Sequence, residues 1–324
     1  MAVHARNEKT YQRIVGRQFK VRWGGEYDPS IRATPKEAPG ISTASRLKSY
    51  EMNRQIHLLS RNELRAAMIV LHNPAVWFVR EQQMLYWDDH EHFLHGHPRS
   101  GVEHWPHMRG TWHVARDLGV QKSHPVTSVY SEQHGCRVRV PFPYIGDLLI
   151  FLQDDAGPYA VNLTVKDKLE DFQRPFNLLG AKSLAEQSAR AIARHNIERL
   201  AYASAGIRTE QIAGQLIPSR LFNNLRFLHN QNWRIRNYNS DQVAIGLKIA
   251  EEGPKKEHSP LQIGRAIDRE LGLTPGSGCV IVWHGIWMRR IRVDLYDTIL
   301  IDRPLKPERR DVLDDYAHWF ARLC

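Results

Sequence analysis

The stretch IGDLLIFLQDDAGPYAVNLTVK, residues 145–166, decides the fold. Its two apolar runs, Leu148 to Leu152 and Tyr159 to Val165, are rich in aliphatic, β-branched and aromatic residues. They are joined by a turn of Asp, Gly and Pro, so the pattern predicts a β-hairpin. Because the chain of a hairpin goes out and comes back, Asp147 and Lys166 are predicted to lie near the same end. A buried hairpin with charged ends would show the same pattern, so the surrounding sequence must decide.

The composition is that of a globular protein. The chain has 324 residues, of which 42% are hydrophobic and 25% charged, which allows real cores and room for two domains. It contains no apolar run of about eighteen residues, and the N-terminal sequence lacks the apolar core of a signal peptide. We therefore expect no membrane insertion and a cytoplasmic location. The three cysteines, Cys136, Cys279 and Cys324, form no CxxC pair, which argues against a thiolate zinc site and a disulfide framework.

The charge balance is basic. Lysine and arginine number 45 and aspartate and glutamate 35, which gives a net charge of +10 at pH 7. Such an excess favours a polyanionic partner, because phosphate contacts dominate nucleic-acid affinity and arginine can bind phosphate in a bidentate way. A basic enzyme that binds no nucleic acid would have the same composition, so charge alone does not identify the partner.

The first half of the chain contains three recognisable segments. Residues 1–45 carry Arg, Lys, Gly and Pro without periodicity, which predicts an irregular basic arm. Ser60 and Glu63 form a capping box at the start of an amphipathic helix, and Val76 to Arg80 is predicted to be a strand. The stretch 86–119 has little periodicity and many histidines and tryptophans, which is typical of an inserted loop region.

The second half is predicted to be mainly helical. Periodicity and capping signals predict helices at Lys182–Ala205, Pro218–His229, Ser240–Glu251 and Ser259–Leu271. The runs Cys279–Trp283 and Met288–Leu295 flank His284-Gly285, and we expect them to form a hairpin. Helices followed by a hairpin suggest a winged-helix-like module.

The opening hairpin and the capped helix together resemble the core of PD-(D/E)xK nucleases, with an acid on an upstream helix, an acid opening a strand and a lysine ending the next. Hydrolysis of a phosphodiester needs charge stabilisation and an activated water. Carboxylates supply these functions by holding Mg²⁺, and a lysine can orient or deprotonate the water. The candidates are Glu63, Asp147 and Lys166, and the metal ligands would be Asp147 and Glu63 with Thr164 and Val165 nearby.

Each of these residues also has a structural explanation. Glu63 can serve only as the acid of the capping box, Asp147 can cap a turn after Gly146, and Lys166 can be a solvated lysine like Lys168. Spacing alone does not choose between these roles and catalysis, because many proteins have an acid some distance before a lysine.

Two longer blocks make the comparison more specific. The run RQIHLLSRNELRAAMIVLHNPAVWFVREQQML, residues 54–85, pairs a His-Leu-Leu-Ser-x-x-Glu helix with an Arg-Glu-Gln-x-x-Leu strand. The run HNIERLAYASAGIRTEQIAGQLIPSRLFNNLRFLH, residues 195–229, follows the lysine. Both blocks, in this order around Asp147 and Lys166, resemble the TnsA endonucleases of heteromeric bacterial transposons.

This resemblance implies a fold and an activity. It implies an α/β fold with a restriction-endonuclease-like nuclease core, followed by a mainly helical winged-helix-like C-terminal domain. The arm would span residues 1–45, the endonuclease domain 46–176 with the His-rich insertion at about 86–119, and the C-terminal domain 177–324. The expected function is Mg²⁺- or Mn²⁺-dependent cleavage of the 5′ strand at transposon DNA ends, in concert with a DDE-type transposase and an AAA+ regulator.

The resemblance also implies roles and shows departures. Asp147 would be the central metal ligand, Glu63 would hold a second metal or its water, and Lys166 would position the nucleophile. The general nuclease pattern has Asp or Glu two residues before the lysine, where this chain has Thr164, so the Val165 carbonyl and waters would have to complete the metal shell. Two other functions therefore stay open: a non-catalytic DNA-binding or assembly subunit, and a stand-alone restriction-like endonuclease.

Two further features have two interpretations each. The insertion has four closely spaced histidines, His90, His92, His95 and His97, which could bind a transition metal or could belong to a surface loop that touches DNA or a partner. The segments 226–238 and 286–295 interleave arginine with aromatic residues, as nucleic-acid surfaces do, but a charged edge strand would show the same pattern.

Overall fold

The protein is described by a computed structural model that covers residues 7–19, 23, 27–40, 43–101, 104–173 and 184–323. The remaining positions of the predicted arm, the predicted helix start at Lys182, the predicted domain start at residue 177 and Cys324 lie outside the described residues. The strands are β1 (Ser45–Ser49), β2 (Arg54–Leu58), β3 (Val76–Glu81), β4 (Met84–Leu85), β5 (Val126–Ser131), β6 (Cys136–Pro141), β7 (Tyr144–Ile145), β8 (Leu148–Asp154), β9 (Gly157–Lys166) and β10 (Arg208–Ala213). The helices are α1 (Glu8–Gln18), α2 (Arg61–His72), α3 (Thr111–Asp117), α4 (Leu184–Ala203), α5 (Ser219–Asn232), α6 (Ser240–Glu252), α7 (Pro260–Leu271), α8 (Gly278–Trp287), α9 (Val312–Asp315) and α10 (Ala317–Phe320).

The predicted hairpin forms the centre of a four-stranded sheet of order β10-β9-β8-β3. Strands β8 and β9 are antiparallel, with Leu148 opposite Leu163 and Asp154 opposite Gly157. Strand β3 pairs antiparallel with β8, while β10 pairs parallel with β9. The β9–β10 connection runs through α4, because neighbouring parallel strands need a crossover. The fold is therefore mixed α/β.

Helices cover both faces of this sheet. Alternate residues of β8, Leu148, Ile150 and Leu152, belong to the core that also contains α2. The intervening Leu149 and Phe151 face the core that contains α4. This alternation explains why β8 is apolar throughout, since a strand buried on both faces has no polar side.

The start of α2 follows the predicted capping box with one variation. Ser60 Oγ accepts from the Glu63 N–H at 3.1 Å, as expected. The Glu63 carboxylate accepts from the Leu59 N–H at 2.8 Å and from the Ser60 hydroxyl at 2.9 Å, not from the Ser60 N–H. Glu63 is therefore fixed at the helix N-terminus by three hydrogen bonds to Leu59 and Ser60.

The prediction of a hairpin at Cys279–Leu295 is wrong. Residues 278–287 form helix α8, which is buried on nearly all sides, and no strand follows it within the described C-terminal residues. A short run of β-branched apolar residues has the same appearance in a buried strand and in a buried helix, and only the packing of α8 against α5, α6 and α7 distinguishes them. The hairpin on which the winged-helix expectation rested is therefore absent from these residues.

Two predicted boundaries also need correction. Residues 8–18 of the predicted irregular arm form helix α1, whose Ile14 and Gln18 are buried. The expected division at 176/177 separates β9 from its parallel neighbour β10, although both strands belong to the same sheet. A single apolar core then continues from α2 and β8 into α5 and α8. Arg65 on α2 also donates to Ser219 Oγ on α5 at 3.0 Å.

The described part of the His-rich insertion packs its apolar side chains against the sheet, so it is not only a surface loop. Phe93, Leu94 and Met108 are buried in the same core as Phe151 of β8 and Tyr202 of α4. The insertion contains α3 and a bridge between residues 90 and 108. Its apolar residues therefore cover one face of the sheet, which explains their aromatic character.

No helix formed by the described residues combines the length and the apolar character that crossing a membrane would require.

Candidate active site

Asp147 lies where the sheet core and the β3–β4 connection meet. It directly precedes β8 and is buried. Its Oδ2 accepts from the Val165 N–H at 2.8 Å, and its backbone carbonyl accepts from the Gln82 N–H at 3.0 Å. A Cβ on the preceding Gly146 would lie 3.3 Å from the Tyr202 hydroxyl, so the backbone before Asp147 packs close to α4.

Glu63 is the second buried carboxylate at this end of the sheet. Besides its bonds at the start of α2, its Oε2 accepts from Gln82 Nε2 at 3.0 Å. Burial, and then the negative charge of Asp147, raise the pKa of Glu63 to about 8. The effect of the Asp147 charge on Glu63 shows that the two are electrostatic neighbours, so the structure brings both predicted acids to one place.

Lys166 ends β9, on the face of the sheet that α4 covers. Burial lowers the pKa of the Lys166 ammonium, and the charges of Asp147 and Glu198 oppose that shift. Within the described residues no ion pair joins Lys166 to a carboxylate. A lowered pKa increases the fraction of a lysine that is neutral, which is the form that can accept a proton. The site therefore contains all three predicted residues.

Thr164 is engaged by a different group. Its hydroxyl donates to Glu198 Oε1 at 2.9 Å, and the residue is buried. Val165 turns its N–H toward Asp147, and in a strand the carbonyl of a residue points to the same side as its N–H. Of the two additional ligand candidates, the Val165 carbonyl is therefore the better placed for a metal bound by Asp147.

Glu198 is a buried acid of the site that sequence reasoning missed. It lies on α4, and its Oε1 accepts from Thr164 and from Asn162 Nδ2 at 3.1 Å. Burial raises the pKa of Glu198, which the neighbouring Arg194 opposes. The Arg194 Nη2 atom lies 3.6 Å from Glu198 Oε2. The signal in the sequence was the alternation of Asn162, Thr164 and Lys166, which places three polar groups on the face that α4 covers.

Gln82 is the second residue that sequence reasoning missed. It lies between β3 and β4 with φ of 51°, a left-handed conformation that is uncommon for residues other than glycine. In this conformation its side-chain amide reaches Glu63 while its backbone N–H reaches Asp147. A single residue therefore links the two acids, at the kind of strained position that clusters at functional sites.

Gln18 of α1 binds the segment between β3 and β4 that contains Gln82. Its Nε2 donates to the Gln82 carbonyl at 3.2 Å and to the Tyr27 hydroxyl at 2.9 Å. Its Oε1 accepts from the Met84 N–H at 2.6 Å and from Gln83 Nε2 at 3.1 Å. The helix that replaces part of the predicted arm therefore supports the segment that carries Gln82.

The donor set fits a hard cation in part. Asp147 and Glu63 supply carboxylate oxygens, which Mg²⁺ and Mn²⁺ prefer, and no described residue donates a hydrogen bond to Asp147 Oδ1. Across the described ranges, however, no three His, Cys, Asp or Glu side chains converge closely enough to ligate one ion. Any such ion would be held by two carboxylates, the Val165 carbonyl and water or substrate oxygens.

The four closely spaced histidines of the insertion, His90, His92, His95 and His97, have separate surroundings. The His92 ring stacks on Trp105, and the His97 ring contacts Trp23 and Trp77. Both Nδ1 atoms accept backbone N–H groups, from Leu94 and from Arg99. His90 contacts Tyr86, and the exposed His95 lies 3.5 Å from Glu91. The structure therefore does not bring the four together as a metal site.

Comparison with known proteins adds no family assignment: no protein-family model matches this chain, and no curated protein matches it either.

Proposed function

We propose that the protein is a metal-dependent DNA endonuclease that cuts the 5′ strand at transposon ends. The observation that carries the proposal is the convergence of Asp147, Glu63 and Lys166 at one end of the β8–β9 hairpin, with the pKa of Glu63 raised and that of Lys166 lowered. Structural ion pairs would ordinarily shift these pKa values in the opposite directions. Such a combination is typical of groups that bind ions and move protons.

Each residue has a role in this reaction. A bound Mg²⁺ or Mn²⁺, held by Asp147 and Glu63, would supply charge stabilisation for the phosphate. Lys166 accepts a proton from the attacking water as its oxygen bonds to phosphorus and the bond to the leaving oxygen breaks. Gln82 holds the Glu63 carboxylate in place through its amide. Glu198 binds Thr164 and Asn162, and this fixes the strand that ends in Lys166.

The fold supports the same proposal at a coarser level. A mixed sheet with an acid before one central strand and a lysine at the end of the next is the arrangement that a restriction-endonuclease-like core needs. The excess of basic residues favours DNA as the substrate. The DDE-type transposase and the AAA+ regulator are partners that the resemblance to TnsA proteins implies.

A second candidate function is that of a non-catalytic DNA-binding or assembly subunit. It is favoured by one observation: Thr164 stands where the general nuclease pattern has an acid, and its hydroxyl donates to Glu198. Such a protein would keep the sheet and the DNA surface without cutting.

Strand cleavage distinguishes the two functions. We expect a labelled transposon-end duplex, mixed with the partner transposase, to be nicked in Mn²⁺ or Mg²⁺ and not in EDTA. Asp147→Asn should lose nicking and keep DNA binding, whereas the exposed turn variant Asp155→Asn should behave as wild type. Equal nicking by wild type and Asp147→Asn would contradict the proposed catalytic site. DNA binding without nicking in any metal would favour the non-catalytic DNA-binding or assembly subunit.

A further inference from the structure

A ladder of alternating cations and aromatic rings lies on the surface where the β1–β2 hairpin meets the end of α5. Lys48 Nζ lies 3.3 Å from the ring centroid of Trp233. On the same ring, the Arg236 guanidinium carbon lies 4.0 Å from the centroid, and it also lies 5.1 Å from that of Tyr50. We call these four residues, Lys48, Tyr50, Trp233 and Arg236, the basic stack.

The two charges of the basic stack are held but not neutralised. Lys48 and Arg236 are exposed, and neither has a carboxylate partner in the part of the chain that the structure describes. Arg236 donates to the neutral Asn53 Oδ1 at 3.1 Å. The nearby Glu51 engages Ser49 and Asn232 instead. A cation over a ring keeps its full charge, so the stack presents two fixed positive charges to solvent.

The other arginine-aromatic segment, residues 286–295, behaves differently. Arg289 pairs with Asp311 at 2.7 Å, and Arg290 pairs with Glu251 at 2.6 Å. Arg292 pairs with Asp311 at 2.6 Å. Its charges are therefore neutralised within the protein. Of the two segments with this pattern, only the one that contains Trp233 leaves its cations available to a partner.

The position of the basic stack relates it to the active site. Strand β2 starts beside the hairpin tip and leads to Leu59, whose N–H bonds Glu63. Five residues at about 3.3 Å each place the tip of this hairpin, beside the stack, roughly 16 Å from Leu59. This is about half of the ~34 Å turn of a DNA duplex. The exposed Arg46 lies between the two on β1, and it too has no ion pair among the described residues.

We propose that the basic stack is a docking surface for the phosphate backbone of the DNA substrate, about half a helical turn from the bond that is cut. The inference rests on the proposed function, because it names a second contact of the same substrate. Two cations already lie over the Trp233 ring, so the ring positions charges and is not free to stack on bases. The contact is therefore independent of base sequence and sensitive to salt.

Fluorescence anisotropy with a labelled duplex of about three helical turns, in buffer without divalent metal, tests the surface. We expect Lys48→Ala/Arg236→Ala to bind at least tenfold more weakly at low salt. The slope of log affinity against log salt should become shallower by about 2, since each phosphate contact contributes about 0.9. The matched control is Lys248→Ala/Arg269→Ala, which removes two exposed charges from α6 and α7. It should bind within twofold of wild type.

The outcomes separate this inference from the enzyme proposal. Wild-type affinity and slope in the stack variant would overturn the docking surface even if Asp147-dependent nicking stands, and so would a wild type that binds no duplex. If the stack variant binds DNA more weakly while Asp147→Asn nicks normally, the docking surface is supported and the proposed active site is rejected. Circular dichroism checks the fold, and if the double variant unfolds, Arg236→Gln alone should still weaken binding at least threefold.

Discussion

At the scale of single residues, the site depends on how Gln82 is held. Its left-handed backbone directs the amide to Glu63 and the N–H to the Asp147 carbonyl. Without the amide, the Glu63 carboxylate would lose one of its hydrogen bonds in a buried place, where each such bond matters more than in water. Gln82 is therefore a positioning residue of the candidate site.

We predict that Gln82→Ala lowers the nicking rate by about 10- to 100-fold, the scale on which loss of an orienting partner of a ligand reduces activity. DNA affinity should not change, because the side chain is buried and far from solvent. The exposed Gln153→Ala is the control and should nick as wild type does. A Gln82→Ala enzyme with the wild-type rate would show that the amide has only a structural use.

Thr164 gives a second prediction at this scale. In Thr164→Val the Glu198 carboxylate loses the hydroxyl that donates to it at 2.9 Å, so unfolding should become easier by about 1–3 kcal/mol. The metal concentration for half-maximal nicking should stay within about twofold of wild type, since the hydroxyl faces Glu198. A tenfold rise in that concentration, with unchanged denaturant stability, would instead identify Thr164 as a ligand.

Some of the site was predictable from sequence. Asp147 and Lys166 lie near each other because the two strands of a hairpin return to the same end. Glu63 was predictable because the capping box places an acid at the start of α2. The alternation of Asn162, Thr164 and Lys166 was a signal for polar groups on one face of β9, but that Glu198 is their partner depends on how the amphipathic α4 packs on this strand. Gln82 was not predictable, because a left-handed glutamine leaves no mark in hydrophobic periodicity.

At the scale of elements, helices α7 and α8 approach closely because glycines line their contact. A Cβ on Gly264 of α7 would lie 2.5 Å from Cys279 Sγ and 2.9 Å from the Cys279 backbone nitrogen. Real carbon atoms do not approach backbone so closely, so any side chain at Gly264 would push α8 outward. The contact explains how a helix as apolar as α8 is buried among three others.

Gly264→Ala should therefore destabilise the protein by about 1–3 kcal/mol, the range for overpacking a core. Gly16→Ala is the matched control, because it lies within α1 and a Cβ there meets nothing within 4 Å. That control should stabilise the protein by about 0.5–1 kcal/mol, since alanine favours the helix over glycine. Urea denaturation measures both free energies of unfolding. Equal changes in the two variants would show that the close contact of α7 and α8 does not limit the residue at position 264.

The error over α8 has a general physical cause. The run CVIVWHGIW is apolar at nearly every position, so neither a period of two nor a period of 3.6 is visible in it. The amphipathic helices α4 and α7 were predictable because one side of each faces solvent. A fully buried element reveals its type only through its neighbours, which lie far away in sequence.

At the scale of the whole molecule, several histidines are buried in the neutral form. Burial lowers the pKa of His72 to about 3, of His195 to about 3, and of His90 and His92 to about 4. A group whose folded pKa lies below its unfolded value of about 6.5 contributes stability that is complete above pH 6.5 and is lost as the pH falls toward the folded pKa. Glu63, with its raised pKa, acts in the opposite sense between about pH 4.5 and pH 8.

The contribution of one histidine can be measured at His72, whose ring contacts Trp287 on α8. His72→Phe nearly retains the volume of the ring and removes the titrating group at this position. The variant should be less stable than wild type at pH 7, and the difference should shrink by about 2 kcal/mol at pH 5, where the unfolded histidine gains a proton. Urea denaturation at both pH values tests this, and a difference that does not change with pH would contradict the neutral buried ring.

The central claim is that Lys166 and its acidic neighbours hydrolyse DNA, and one rate measures it most directly. The experiment is the single-turnover rate of 5′-strand nicking in Mn²⁺, with the transposase present, for wild type, Lys166→Met and Lys168→Met. Lys168 is exposed and lies two residues beyond the strand, so it is a close control. We predict that Lys166→Met is slower by about 10²- to 10⁴-fold and that Lys168→Met equals wild type. Equal rates for Lys166→Met and wild type would contradict the account.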